Sequence, residues 1–183
     1  AEIYKDYHVI DSHPDSYSTI FFQGSDKWEI PKEKYGQNRS YESMMPYYVT
    51  IRLPDSSDPD HHNQVEFVNM IPFTPPERVR YMNAWMVARC DRDHYGQLAL
   101  YNLPKDEPIP GPTLMEGTIE TELSQDLTLW NQQGTTVIRG NLLVIPVGNT
   151  LFYIEPIYLK PENVARPDLQ VVTVQAGGEF ASA

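Results

Sequence analysis

Residues 127–134, LTLWNQQG, and residues 137–146, VIRGNLLVIP, decide how this chain is read. In the first stretch Leu127 and Trp130 continue a stripe begun at Leu123, spaced as one helix face, and Gly134 supplies a residue that ends helices readily. A helix is therefore expected over residues 120–133. The second stretch is a long apolar run that admits one arginine, Arg139, and closes at Pro146, which suits a buried strand. Residues 147–150, VGNT, tolerate positive φ, so residues 151–159 are expected to fold back as a hairpin partner.

Similar patterns recur toward the N-terminus. Residues 47–53, YYVTIRL, alternate like a half-buried strand, and residues 65–71, VEFVNMI, return after the polar loop 55–63. Thr74, Pro75, Pro76 and Glu77 form a helix start: threonine can cap, proline suits the first turn, and Glu77 sits at the reciprocal capping position. That helix is expected to give way to a strand near Ala84. Residues 91–96 then turn, and residues 97–103 pair back. Residues 113–118 are expected as a strand and residues 169–174 as the last one. Sequential hairpins with few crossover helices imply an α+β fold, mainly antiparallel β with about two short helices. The expected division is an N-terminal arm at residues 1–46, packed on the main domain through Tyr7, Phe21, Phe22 and Trp28. A single antiparallel α+β domain follows at residues 47–176, and a flexible tail at residues 177–183.

A chain of 183 residues can bury a core without disulfides or a structural metal. Its mean hydropathy is −0.47, and no apolar run approaches the roughly 20 residues that span a bilayer. This fragment is not expected to cross a membrane itself, and its first residues lack the pattern of a signal peptide. Fourteen basic against 25 acidic residues give a net charge of −11, a field that repels phosphate backbones. Nucleic acid is excluded as a partner on that ground; a cation, a basic protein or a neutral saccharide stays open. The single cysteine, Cys90, has no internal disulfide partner.

Several separated motifs carry a family resemblance: Pro72 to Pro75 (PFTP), Trp85 with Arg89 and Asp91, Tyr95 with Gly96, Gly111 with Pro112, and the block 124–146. Tyr7, His8 and Val9, with Trp28 to Pro31 (WEIP), extend it into the arm. Together they resemble uncharacterised protein family 0182 of the UPF series, bacterial proteins with several N-terminal membrane helices and a large soluble region. The resemblance implies that this chain is part of that soluble region, on the extracytoplasmic side of the cell membrane. The implied partners are the membrane-embedded part of its own parent chain and other envelope proteins. The resemblance implies no activity.

The residues themselves offer three kinds of chemistry. Asp58, Asp60, His61 and His62 crowd one loop, and Asp11, His13 and Asp15 alternate. Adjacent histidines diverge in an extended chain, however, and neither group has the spacing of a zinc or calcium site, so no metal or other cofactor is expected. Glu116, Glu120 and Glu122, or Asp91 with Asp93, could serve acid–base catalysis only if two carboxyl groups face one cleft. No catalytic residue is assigned. Arg89, Asp91, Trp130, Asn131 and Arg139 are polar or amphipathic residues set in apolar segments, and buried arginine needs carboxylate partners. They form either a structural network, with Arg89 or Arg139 on Asp91, or a ligand pocket framed by Trp85 and Trp130. The leading expectation is a module that acts by binding or assembly; the alternative is a cell-envelope enzyme of hydrolytic type using carboxylates.

Overall fold

The computed structural model describes residues 28–37, 40–53, 65–75, 80–104, 106–132, 134–148 and 150–183. Its contacts divide the chain into two units, one of residues 1–30 and 45–109 and the other of residues 31–44 and 110–183. The sequence reading divides it instead at residue 46.

In the first unit, strands β3 (Tyr47–Ile51), β4 (Glu66–Phe73), β5 (Ala84–Arg89) and β6 (Leu98–Asn102) form one antiparallel sheet in that order. Tyr47 and Ile51 point inward from β3, as the alternation requires, and β4 becomes wholly buried from Met70 to Phe73. That buried run is covered in part by Trp28, which joins Ile71, Phe73, Ala84 and Met86 in one apolar cluster. Glu29 and Thr74 exchange two backbone hydrogen bonds beside it, which tethers the extended segment that carries Trp28. The anchors Tyr7, Phe21 and Phe22, the loop 55–63 and residues 76 and 77 of the expected helix start lie outside the described residues.

In the second unit, β1 (Lys32–Lys34) and β2 (Tyr41–Ser43) make a small hairpin. Helices α1 (Pro112–Glu122) and α2 (Ser124–Trp130) follow, then β7 (Thr135–Arg139), β8 (Leu143–Val147), β9 (Thr150–Pro161), β10 (Asp168–Ala176) and β11 (Glu179–Ser182). The sheet order is β11-β10-β9-β7, and β8 shares with β7 the same edge of the long β9. The chain steps from one to the other at Gly140. A Cβ there would stand 2.6 Å from Pro156 Cγ and 2.9 Å from its carbonyl oxygen, so only glycine permits the step.

The fold is α+β, mostly antiparallel sheet with two short α-helices, as expected. The structure departs from four local expectations. Residues 113–118 are helical because Pro112 occupies the first turn and Glu116, Ile119 and Leu123 extend its buried stripe at helix spacing. The helix expected over residues 120–133 is two helices that meet at Leu123. The run 137–146 is two strands, interrupted where Gly140 meets β9. Residues 179–182, placed by the sequence reading in a flexible tail, pair with β10. No helix among the described residues is long and apolar enough to cross a membrane.

Candidate functional site

Arg139, at the end of β7, is the most heavily engaged polar side chain of the second unit. It is 5% exposed, while Glu116 on α1 and Glu155 on β9 are completely buried. Its Nε and Nη2 donate to the two oxygens of Glu155, the latter at 2.7 Å. Nη2 also donates to Glu116 Oε2 at 2.8 Å, and Nη1 to Glu120 Oε1 at 3.0 Å. A planar guanidinium suits this arrangement because its fixed fork can meet several carboxylates at once. Burial by itself lowers the arginine pKa, but the hydrogen bonds and charge of Glu155 outweigh it and leave the pKa above its ordinary value.

The carboxylates are not equivalent. Burial and the neighbouring Glu155 charge push the Glu116 carboxyl up to about 8, against the pull of Arg139 and of the Lys34 amide that donates to it at 3.0 Å. Glu155 is also raised, again by burial first, with Arg139 opposing. Glu116 and Glu155 titrate as one system and hold more protons near neutral pH than two free glutamates would. Lys34 Nζ meets Glu120 Oε2 at 2.8 Å and lies 5.3 Å from the Tyr41 ring centroid. Nearby Glu33, 2% exposed, accepts the Leu142 amide at 2.7 Å and the Asn141 side chain at 3.3 Å.

This cluster borders a groove of about 740 Å³. One wall is α2, through Leu127, Thr128 and Asn131; another is β7, through Thr135 and Val137; Lys34, Glu120 and Arg139 close one part. The volume falls within the usual range for small-molecule and cofactor sites. All three donor nitrogens of Arg139 are already taken by carboxylates, so it is not a free fork for an incoming anion.

The five residues singled out from sequence fall in different places. Arg139 and Asn131 line the groove, and Asn131 Nδ2 also donates back to Leu127 O at 3.0 Å. Trp130 is half-buried at the end of α2. Arg89 and Asp91 belong to the first unit. Arg89 grips Glu66 through two hydrogen bonds of 2.6 Å and reaches Gln97 at 3.2 Å, while Asp91 Oδ2 accepts the Phe67 amide at 2.9 Å. Arg89 therefore pairs with Glu66, and Asp91 ties off a strand edge. Trp85 is 5% exposed and stacks on Tyr101 at 4.2 Å, within that unit's sheet.

Sequence reasoning reached Glu116 and Glu120 as acid–base candidates but missed Glu155, Glu33 and Lys34. Glu155 had a signal: it stands between Tyr153 and Ile157 at the inward parity of β9, where a charge demands a buried partner. Among the described residues no group of three or more His, Cys, Asp and Glu could hold a metal ion. The loops at 11–15 and 58–62 lie outside those residues.

Comparison with known proteins adds a lineage. The family model described as "Uncharacterised protein family (UPF0182)" matches residues 1–130. A UPF0182 protein of Sulfurovum is 43% identical over 176 residues, which cover 95% of this chain and 18% of that protein. One from Moorella thermoacetica is 44% identical over 166 residues, 90% of this chain and 17% of that protein. A third, from Trichodesmium erythraeum, is 43% identical over 176 residues, again 95% and 18%. The chain spans less than a fifth of the curated relatives it matches. No solved structure matches it.

Proposed function

Because the chain belongs to uncharacterised protein family UPF0182, we propose that it is one binding module of a much longer bacterial membrane protein, held on the extracytoplasmic side of the cell membrane. The groove beside Arg139 is the observation that carries the binding role: a concave site of ligand size, walled by secondary structure and held by a buried ion cluster. The family resemblance supports the membrane parent, and the short share of the relatives that it matches supports a module. The partners of this reading are the membrane-embedded part of the parent and other envelope proteins.

Carboxylate catalysis fits the geometry less well. Glu116 and Glu155, the raised pair, are fully buried behind Arg139, and Glu120 is the one carboxylate lining the groove among the described residues. A hydrolase of the carboxylate-pair type needs two such groups open to substrate.

Two experiments test the proposal. Amide NMR spectra of the purified chain, titrated with uncharged oligosaccharides, short peptides and small anions, should shift at residues 124–139 for at least one set. Thr128→Trp, an exposed change on α2, should weaken that binding about tenfold or more while altering stability by less than about 0.5 kcal/mol. Shifts that map elsewhere, or none from any set, would sink the groove. For location, an epitope placed at the turn containing Gly148 of the parent protein should be cut by protease added to intact spheroplasts. Its survival there, with loss only after lysis, would put the module on the cytoplasmic side.

A further inference from the structure

The five-stranded sheet of the second unit has two unlike faces. Successive residues of a strand point to opposite sides. Tyr153, Glu155 and Ile157 of β9 therefore share one face, and Phe152, Ile154, Pro156 and Tyr158 share the other. The first face is the α1 side: Glu155 and Glu116 meet on Arg139 there, and Gln175 Nε2 donates to Met115 O. Its three β9 residues are all buried, whereas the four on the outer face are all half-buried. The ladders extend the outer face to both sides. Val172 and Val174 of β10 stand opposite Pro156 and Ile154, and Leu143 and Ile145 of β8 stand opposite Ile154 and Phe152. These four are half-buried as well. Among the described residues, the paired positions of this face carry charge only at its two ends, through Lys160 and Glu179.

That distribution is the reverse of a solvated antiparallel sheet, which turns polar residues to water and apolar ones to the core. Here Arg139, Glu155, Thr173 and Gln175 are inside, and isoleucine, valine and phenylalanine point outward. A continuous apolar surface of this kind marks an interaction site. We propose that the outer face is the seat of another segment of the same parent polypeptide, lying outside residues 1–183 and apolar on the side it presents. The inference rests on this chain being one module of a longer protein, and not on the groove. Three observations select the occupant. More than four fifths of the Sulfurovum, Moorella and Trichodesmium relatives lies outside the region that this chain matches. A second copy is disfavoured: each chain carries a net charge of −11, and the face between Lys160 and Glu179 holds no opposite charges to offset the repulsion. A bilayer surface is disfavoured because interfacial docking draws on basic residues around the apolar area, and Lys160 is the single one in this face. A segment tethered in the same polypeptide meets neither obstacle and arrives at high effective concentration.

Carbene footprinting of the full-length parent in its native membranes, set against the purified chain, tests the proposal without a variant. Ile154, Val172 and Val174 should label readily in the purified chain and about fivefold less in the parent, since an interface core excludes solvent. Val164, 42% exposed between β9 and β10, should label about equally in both. Val174→p-benzoylphenylalanine in the parent then identifies the neighbour. Its cross-link should reach a peptide outside residues 1–183, and a mixture of isotopically light and heavy protein should give no mixed pairs. Equal labelling of the face in parent and purified chain, or a face already shielded in the purified chain, would overturn the proposal. So would a cross-link to lipid, to a second copy, to another protein or within residues 1–183, or no adduct at all. Each of those results leaves the groove standing, because ligand-induced amide shifts test it separately. A natural protein no longer than this chain would remove the module reading itself.

Discussion

Arg139→Met should lower the unfolding free energy of the second unit by about 3–5 kcal/mol near neutral pH, as followed by urea denaturation. The side chain is nearly isosteric along its stem, so the loss is electrostatic. Glu155 loses both of its hydrogen bonds from the guanidinium, Glu116 loses one, and two carboxyl groups with no solvent exposure lose the cation that bonds them directly, leaving only the more distant charge of Lys34 acting on Glu155. The cost also has a sign in pH. Without Arg139 the folded pKa values of Glu116 and Glu155 rise further above the unfolded value, because burial already raises both and Arg139 is what opposes it. The folded state then holds more protons than the unfolded state between about pH 4.5 and the folded values, so stability falls as pH rises through that window. The wild-type chain should show the same slope more weakly, through Glu116 raised to about 8. The deficit of the variant should therefore shrink at about pH 5 and be largest at about pH 8. Replacing Glu116 and Glu155 by leucine in the same chain should restore much of the loss, since the penalty comes from carboxylates left alone. A deficit equal at both pH values, or below about 1 kcal/mol, would show that the cluster is not what holds this end of β7.

The legibility of this cluster in the sequence was uneven for a physical reason. Arg139 stood out because a charged residue inside an apolar run must have a partner. The partner could not be read, since Glu116 is 23 positions away and Glu155 is 16 away, on different elements. Glu116 also misled the local reading. It occupies the buried stripe of α1 between Pro112 and Ile119, so the helical apolar period is broken by a glutamate that is inside the protein. Threonines at 113 and 118 then weighted the segment toward a strand. The helix is recovered once the glutamate is counted as an inward residue. Strands β3 and β4 were legible because their alternation and burial agree, and so was the hairpin of β8 and β9, whose tip holds Gly148 at φ 61°. The step at Gly140 was not, because it depends on Pro156 across the sheet. Arg89 shows the same limit. It is only half-buried, and its partner is Glu66 on the adjacent strand and not Asp91 two residues away.

Phe73→Ala should cost the first unit about 3–5 kcal/mol, comparable to the loss of Arg139 but by a wholly different cause. Phe73 is 0% exposed and ends β4 at the point where the strand is buried on both faces. Its ring lies 5.5 Å from Trp28 at a 42° tilt and completes the cluster with Ile71, Ala84 and Met86. Truncation removes a large apolar group and leaves a space that the backbone cannot close, because Thr74 and Glu29 fix the chain on either side through paired hydrogen bonds. The loss should be nearly independent of pH, since no titratable group lies in that cluster, which separates it from the Arg139 effect. Phe67→Ala is the internal control: the same truncation on the same strand, at a ring 45% exposed and stacked on exposed Tyr48, should cost about 1 kcal/mol or less. Urea unfolding of both variants checks the pair. Equal losses at the two positions would mean that Trp28 and its segment do not seal the sheet, and that the buried cluster contributes no more than a surface ring.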